Sequence, residues 1–323
     1  MMLGAFELPA ELRPDLQKAK RVAWLSIVLL TLGSAIYVVT MGQSEAMKTA
    51  WVTEILSILP PVAYLVALRF ELRPPSRRFP FGYFRAISIS YLIAACALTL
   101  IGVWLLWDAL TKLIGQKRPP IGSMVIFGHQ LWAGWVMIAV LIASMLVGML
   151  LGRLKEPLAK RLHDKALKAE AEMNHDEWIS EGAAVIGLLL VAFGFWWGDA
   201  GAAAFISMEI VRDGWHNVRQ VVGDLMDEAP TVMEKRELEK LPGEIERAAE
   251  RLDWVADAAV RLREQGRVLT GNVFVVPRPG TNDLVARLES ATEQLTKLDW
   301  RLHGVTVSAV SEIDGQFPSA NGR

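Results

Sequence analysis

Residues 170–197 read EAEMNHDEWISEGAAVIGLLLVAFGFWW. Glu170, Glu172, His175, Asp176, Glu177 and Glu181 crowd the entry of an apolar run from Ala183 to Trp197. Ionisable groups at bilayer depth are costly, so several on one span point to a polar pathway for ions or protons. The stretch therefore predicts a membrane helix bundle with a polar seam.

The surrounding composition agrees. Of 323 residues, 52% are hydrophobic, and the mean hydropathy of +0.29 reflects runs long enough to cross about 30 Å of hydrocarbon. Many of the 12 tryptophans, such as Trp24, Trp107, Trp132, Trp196 and Trp197, stand at the ends of those runs, where an amphipathic ring favours the headgroup layer. A net charge of -1 gives no reason to expect a nucleic-acid partner. The lone cysteine, Cys96, lies within an apolar run and reads as a small hydrophobe. Met1 to Gln17 is acidic and contains proline, and Lys18, Lys20 and Arg21 lead straight into a full-length span. A retained first helix is expected, not a cleaved signal.

Hydropathy predicts six spans, at 22–42, 45–70, 86–113, 130–152, 174–197 and 199–222, the last two joined at Gly198-Asp199. Arg69, Arg73, Arg77, Arg78 and Arg85 fill the link after span two, and Arg153, Lys155, Lys160, Arg161, Lys165 and Lys168 the link after span four. The other links hold fewer, chiefly Lys112, Lys117 and Arg118, so both termini are expected on the cytoplasmic side of an inner membrane. Four regions follow: an N-terminal cytoplasmic segment at 1–20, a transmembrane domain at 21–225, a cytoplasmic domain at 226–313 and a disordered tail at 314–323. In the third, Thr231 to Leu252 has helical periodicity, Ala256 to Arg263 and Val268 to Val276 alternate as strands around a Gln265-Gly266 turn, Asn282 to Leu298 is helical and Gly304 to Val310 is a third strand. That order suits a small two-layer α+β unit.

Residues four apart share a helix face, so Thr53 with Ser57 and Met173 with Glu177 can present four side chains to one cavity between packed helices. Pro60-Pro61 interrupts the second span just beyond Ser57 and frees carbonyls there. His175 carries an imidazole able to exchange protons near neutral pH, but on one helix it faces about 160° from Glu177. The other histidines, His129, His163, His216 and His303, form no metal-like cluster, and no nucleophile paired with a base suggests an enzyme.

The link Arg77-Arg78-Phe79-Pro80-Phe81-Gly82-Tyr83-Phe84-Arg85 resembles the His-Pro-Tyr-Gly-x-x-Arg signature after the second span of cation diffusion facilitator transporters. Asp224-Leu225-Met226-Asp227-Glu228-Ala229-Pro230 resembles their Leu-Leu-Asp-Glu-Ala-Pro junction. Ala166-Leu167-Lys168-Ala169-Glu170-Ala171 is similar to the Ala-Leu-Arg-Ala-Asp-Ala approach to their fifth span, and Ser44 with Ala46 can be laid on their second-span entry. The resemblance covers residues 20 to 313. It implies an α-helical membrane bundle of six transmembrane helices plus a C-terminal ferredoxin-like cytoplasmic domain, a homodimer through that domain, and export of a divalent cation by proton antiport, with no permanently bound cofactor.

In that family two His-or-Asp/Asp pairs bind the ion, and the matching positions here are Thr53, Ser57, Met173 and Glu177. Only Glu177 keeps a carboxylate, so Zn²⁺ would be held poorly. Neighbouring groups offer replacements: Glu54 beside Thr53, and Asn174, His175, Asp176 and Glu181 around Glu177. A shift of one turn pairs Glu177 with Glu181, and Glu54 opposite would complete an oxygen set better suited to Mn²⁺, Fe²⁺ or Mg²⁺. The link positions Ser76, Phe79 and Tyr83 lack the Asp and His of a further family metal site. The alternative is a non-transporting relative, a dimeric membrane scaffold or partner subunit.

Overall fold

The computed structural model describes residues 8–71, 73, 75–116, 121–126, 129–232 and 239–313. The expected tail at 314–323, and Lys117 and Arg118, lie outside them, as do residues 1–7 of the N-terminal segment. The described chain forms two compact units, one of 14–69 and 89–222, the other of 8–13, 70–88 and 223–313.

The first unit is helical. α1 (Arg13–Thr40) is followed by α2 (Glu45–Leu56) and α3 (Leu59–Glu71), then α4 (Ala86–Ile114), α5 (Ala133–Leu162), α6 (Lys165–Ala192) and α7 (Gly198–Leu225). Four stretches among the described residues are long and apolar enough to cross a bilayer: Ala10–Thr40, Glu45–Glu71, Ala86–Ile114 and Ala133–Leu162. α6 and α7 have the length, but their charged residues keep them outside that group. α1 shows why these helices suit lipid: Trp24, Val28, Leu32, Ile36 and Val39 are exposed on one side, while Ala19, Ala23, Leu30 and Tyr37 are buried on the other. A helix apolar all round needs a non-aqueous solvent on its outer face.

Several boundaries differ from the hydropathy reading. The second span is two helices, broken at Ser57-Ile58. Pro60 and Pro61 supply no N–H to the carbonyls of Leu56 and Ser57, and their rings crowd that turn. The supposed basic loop after the fourth span is helix, since α5 continues to Leu162 and α6 starts at Lys165. Hydropathy ended the span where charge began, yet charged residues sustain a helix well. His163 turns the chain in a left-handed conformation (φ 46°), and Asp164 caps α6 by accepting from Leu167 N at 3.0 Å. α6 ends at Ala192, five residues short of Trp197, with Gly194 at φ 92° breaking it. An antiparallel hairpin, β1 (Ser123–Ile126) with β2 (His129–Trp132), precedes α5 where the fourth span was expected to begin.

The second unit holds a three-stranded sheet with α8 (Leu241–Glu250) and α9 (Leu284–Thr296). β3 (Val255–Gln265) pairs antiparallel with β4 (Val268–Pro277), and β5 (Thr306–Ala309) lies parallel on the other edge of β4. The tight turn is Gly266-Arg267, one residue beyond the predicted one, because Gln265 still pairs with Val268 and Gly266 supplies the positive φ of 63°. Ile245 and Ala249 of α8, Ala291 and Leu295 of α9, and Val260, Val273, Val275 and Val307 of the sheet share one core. The helix predicted from Thr231 begins only at Leu241; residues 233–238 lie outside the described chain. Within this unit the 70–88 link is gripped by the sheet: Glu71 pairs with Arg267 at 3.1 Å, both almost fully buried, and Asp227 binds both Arg85 and Arg263.

Candidate metal centre

α6 carries a column of polar side chains on its buried face. Glu170, Asn174, Glu177 and Glu181 are spaced four, three and four residues apart, so they stack along one side of the helix over about 16 Å. Three other helices face that column. α5 offers Ser144, Gly148, Gly152 and Lys155 at matching intervals, α2 offers Glu54 with Ser57 just beyond its end, and α1 offers Gly33 and Tyr37.

Each contact follows from the size of the facing residue. A Cβ at Gly148 would stand 2.5 Å from Glu177 Oε2 and 2.9 Å from the Asn174 carbonyl oxygen, so glycine is what lets the Glu177 carboxylate lie between α5 and α6. Gly33 does the same for Glu54, whose Oε1 occupies the space a side chain on α1 would fill. The Tyr37 hydroxyl donates to Glu181, lying 2.7 Å and 2.8 Å from its two oxygens. Ser144 Oγ donates to Glu54 Oε2 at 3.1 Å. The carboxylates of Glu54, Glu177 and Glu181 are near enough for their charges to act on one another. Ser57 is buried, and its hydroxyl lies beside Glu177.

Below this group the column is fixed by a cation. Lys155, fully buried, donates to Glu170 and to Asn174 Oδ1, the latter at 2.6 Å, and Asn174 Nδ2 donates to Glu177 Oε1 at 3.4 Å. A bare lysine at membrane depth costs about 3 kcal/mol or more, which explains why both partners are polar. Above the group, each helix turns apolar. Met47 and Ala50 precede Glu54, Met137 and Leu141 precede Ser144, and Ala184 and Leu188 follow Glu181, all in one core cluster with Tyr37 and Ile206. At that apolar end Asp199 accepts Ser44 Oγ at 2.6 Å, Glu45 N at 2.5 Å and Ala46 N at 3.2 Å, locking the start of α2 to the start of α7.

The remaining sequence candidates fall elsewhere. The Thr53 hydroxyl turns back to the Thr49 carbonyl at 3.0 Å. Met173 lines an apolar pocket with Leu56, Pro60, Tyr91 and Leu98. His175 and Asp176 are exposed, with Nδ1 and Oδ1 3.8 Å apart. Among the described residues no three His, Cys, Asp or Glu side chains are arranged to hold a metal ion outright. Tyr37, Ser144 and Lys155 were missed as partners of the site. The small-residue pairing of Gly148 with Gly152 was a usable signal for the face of α5 that meets another helix.

Residues 21–226 match the model of the cation efflux transmembrane domain. The chain belongs to the cation efflux family. It is a multi-pass membrane protein of a transporter family. Among curated members, it is 26% identical over 216 residues to the manganese efflux system protein MneS of Bacillus subtilis (strain 168), covering 66% of this chain and 70% of that one. It is also 26% identical over 179 residues to the zinc transporter ZitB of Escherichia coli (strain K12), 54% of this chain and 52% of that one. The chain therefore spans about half the length of that zinc transporter. A third, the manganese efflux system protein MneP of Bacillus subtilis (strain 168), is 24% identical over 222 residues, again 66% and 70%.

Proposed function

We propose that this protein exports a divalent cation, Mn²⁺ before Zn²⁺, in exchange for protons, using Glu54, Glu177 and Glu181 as the charged walls of its site. The observation that carries this reading is the group of three buried carboxylates on α2 and α6 with the hydroxyls of Tyr37, Ser57 and Ser144 and the Asn174 amide around them. Like charges at membrane depth need a counter-charge, which a divalent cation or protons can supply in alternation. The donor set is all oxygen, which suits hard ions such as Mn²⁺ and suits a softer ion less. The manganese efflux relatives favour the same ion. Thr53, whose hydroxyl turns back to its own helix, and Met173, which lines an apolar pocket, take no part in holding the ion, while His175 and Asp176 are available at the outer surface of α6 for passing ions or protons. The working assembly is a six-span bundle with both termini cytoplasmic in the inner membrane, paired as a homodimer through a ferredoxin-like C-terminal domain.

The test is a flux assay in proteoliposomes with a pH-sensitive dye inside. Wild-type protein should alkalinise the lumen on addition of external Mn²⁺, as protons leave in exchange for the entering ion, and Glu177→Gln should abolish that response while leaving thermal unfolding intact. Unchanged proton flux in folded Glu177→Gln removes this carboxylate from the mechanism. Silence of the wild-type protein towards Mn²⁺, Zn²⁺ and Fe²⁺ alike would favour a scaffold over a transporter.

A further inference from the structure

Lys155 lies in the same polar column as the proposed cation site, yet a cation site has no evident need of a competing positive charge. Its side chain is wholly enclosed, reached from α5 at the level where Gly152 keeps α5 against α6, a Cβ there standing 3.0 Å from the Ala171 carbonyl oxygen. An ammonium group has three N–H donors and no acceptor. The atom of Asn174 that meets it at 2.6 Å must therefore be the carbonyl oxygen. The amide is fixed by that choice, and what remains to face Glu177 is its NH₂, donating at 3.4 Å. One oxygen of Glu170 is engaged by the same ammonium, while the other has no hydrogen-bond partner among the described residues.

We propose that Lys155 is a specificity-determining positioning residue, which withholds the Asn174 side-chain carbonyl from the transported cation. The inference rests on the reading of Glu54, Glu177 and Glu181 as the cation site. With Lys155 in place, the Asn174 side-chain carbonyl is not among the oxygens open to a cation beside Glu177. Ca²⁺ takes six to eight oxygens in a roomy shell, whereas smaller ions are satisfied by fewer. Clamping that further donor onto an internal ammonium therefore discriminates against the larger ion. The amide also holds one Glu177 oxygen in a hydrogen bond, which fixes the carboxylate's orientation.

Mn²⁺ and Ca²⁺ binding to the full-length protein in detergent can be measured by calorimetry for wild type, Lys155→Arg, Lys155→Met and the double variant Lys155→Met/Glu170→Gln. The double variant removes both members of the ion pair, so it remains informative where Lys155→Met alone fails to fold. The Ca²⁺-to-Mn²⁺ affinity ratio of the folded double variant should rise about tenfold, while Lys155→Arg, which keeps the charge and the donors, stays within about threefold of wild type. A folded double variant with the wild-type ratio overturns the inference and leaves the transport reading standing. A wild-type protein with no Mn²⁺ binding that Glu177→Gln removes overturns both.

Discussion

At the scale of single residues, the two glycines facing carboxylates have opposite consequences. A Cβ at Gly33 would meet only the end of the Glu54 side chain, which can swing away. Gly33→Ala should therefore fold normally and instead weaken Mn²⁺ binding by displacing the carboxylate. A Cβ at Gly148 would also press on the Asn174 carbonyl, which belongs to the α6 backbone and cannot move alone. Gly148→Ala should cost about 1–3 kcal/mol by forcing α5 and α6 apart. Thermal unfolding in detergent beside a binding isotherm separates the two, and equal unfolding temperatures for both variants would refute the distinction. These roles were invisible in the sequence, where a glycine in a membrane span signals close helix approach without naming what approaches. The acids were legible: Glu177 and Glu181 stood out because ionisable residues in apolar runs are rare, and Glu54 because it adjoins Thr53, a position matched through the family resemblance.

At the scale of elements, the break in the second span was readable from Pro60-Pro61, since proline chemistry is local. The ends of α5 and α6 were not, because hydropathy measures solvent preference and not helix continuation. The Asp199 cap belongs to this scale. One carboxylate closes the first turn of α2 from the start of α7, satisfying two backbone N–H groups and the Ser44 hydroxyl, which itself accepts from Met47 N at 3.1 Å. Asp199→Leu leaves those donors buried and unpaired, at about 1–3 kcal/mol. Ser44→Ala removes the side-chain cap, at about 1 kcal/mol. Calorimetric or fluorescence unfolding of both variants should rank Asp199→Leu as the more damaging; the reverse order would show that α2 is capped mainly by its own serine.

At the scale of the whole molecule, the family match spans 21–226, while the sheet unit follows its own chemistry. There His303 stacks edge-on to Phe84 with ring centroids 5.7 Å apart, and burial holds its imidazole below the usual histidine range. The folded state thus prefers the neutral ring, and the unfolded chain binds the extra proton first as pH falls. Stability from this residue is present above the unfolded pKa of about 6.5 and declines as pH drops through it towards the folded value. Unfolding of the sheet unit followed between pH 7.5 and pH 5 should show that decline, and His303→Phe should flatten it. An undiminished slope in the variant would assign the pH dependence to other groups. In the same unit Arg301, held by Glu239 at 2.6 Å and Asp299 at 2.8 Å with its charge reinforced by both, remains ionised across that range.

The sequence by itself determined that the chain is a membrane helix bundle followed by a small α+β unit, and it picked out the acids, because length, apolarity and charge are properties of residues taken in order. Only the tertiary structure decided which of those acids face one another, that Met173 looks into an apolar pocket while His175 and Asp176 face outward, and that Lys155 reaches back to Glu170 and Asn174. The physical reason is rotational. Each residue along a helix turns its neighbour by about 100°, so a side chain's surroundings depend on how four helices are rotated against each other, and that rotation is set by small residues on partner helices, such as Gly33 facing Glu54 and Gly148 facing Glu177.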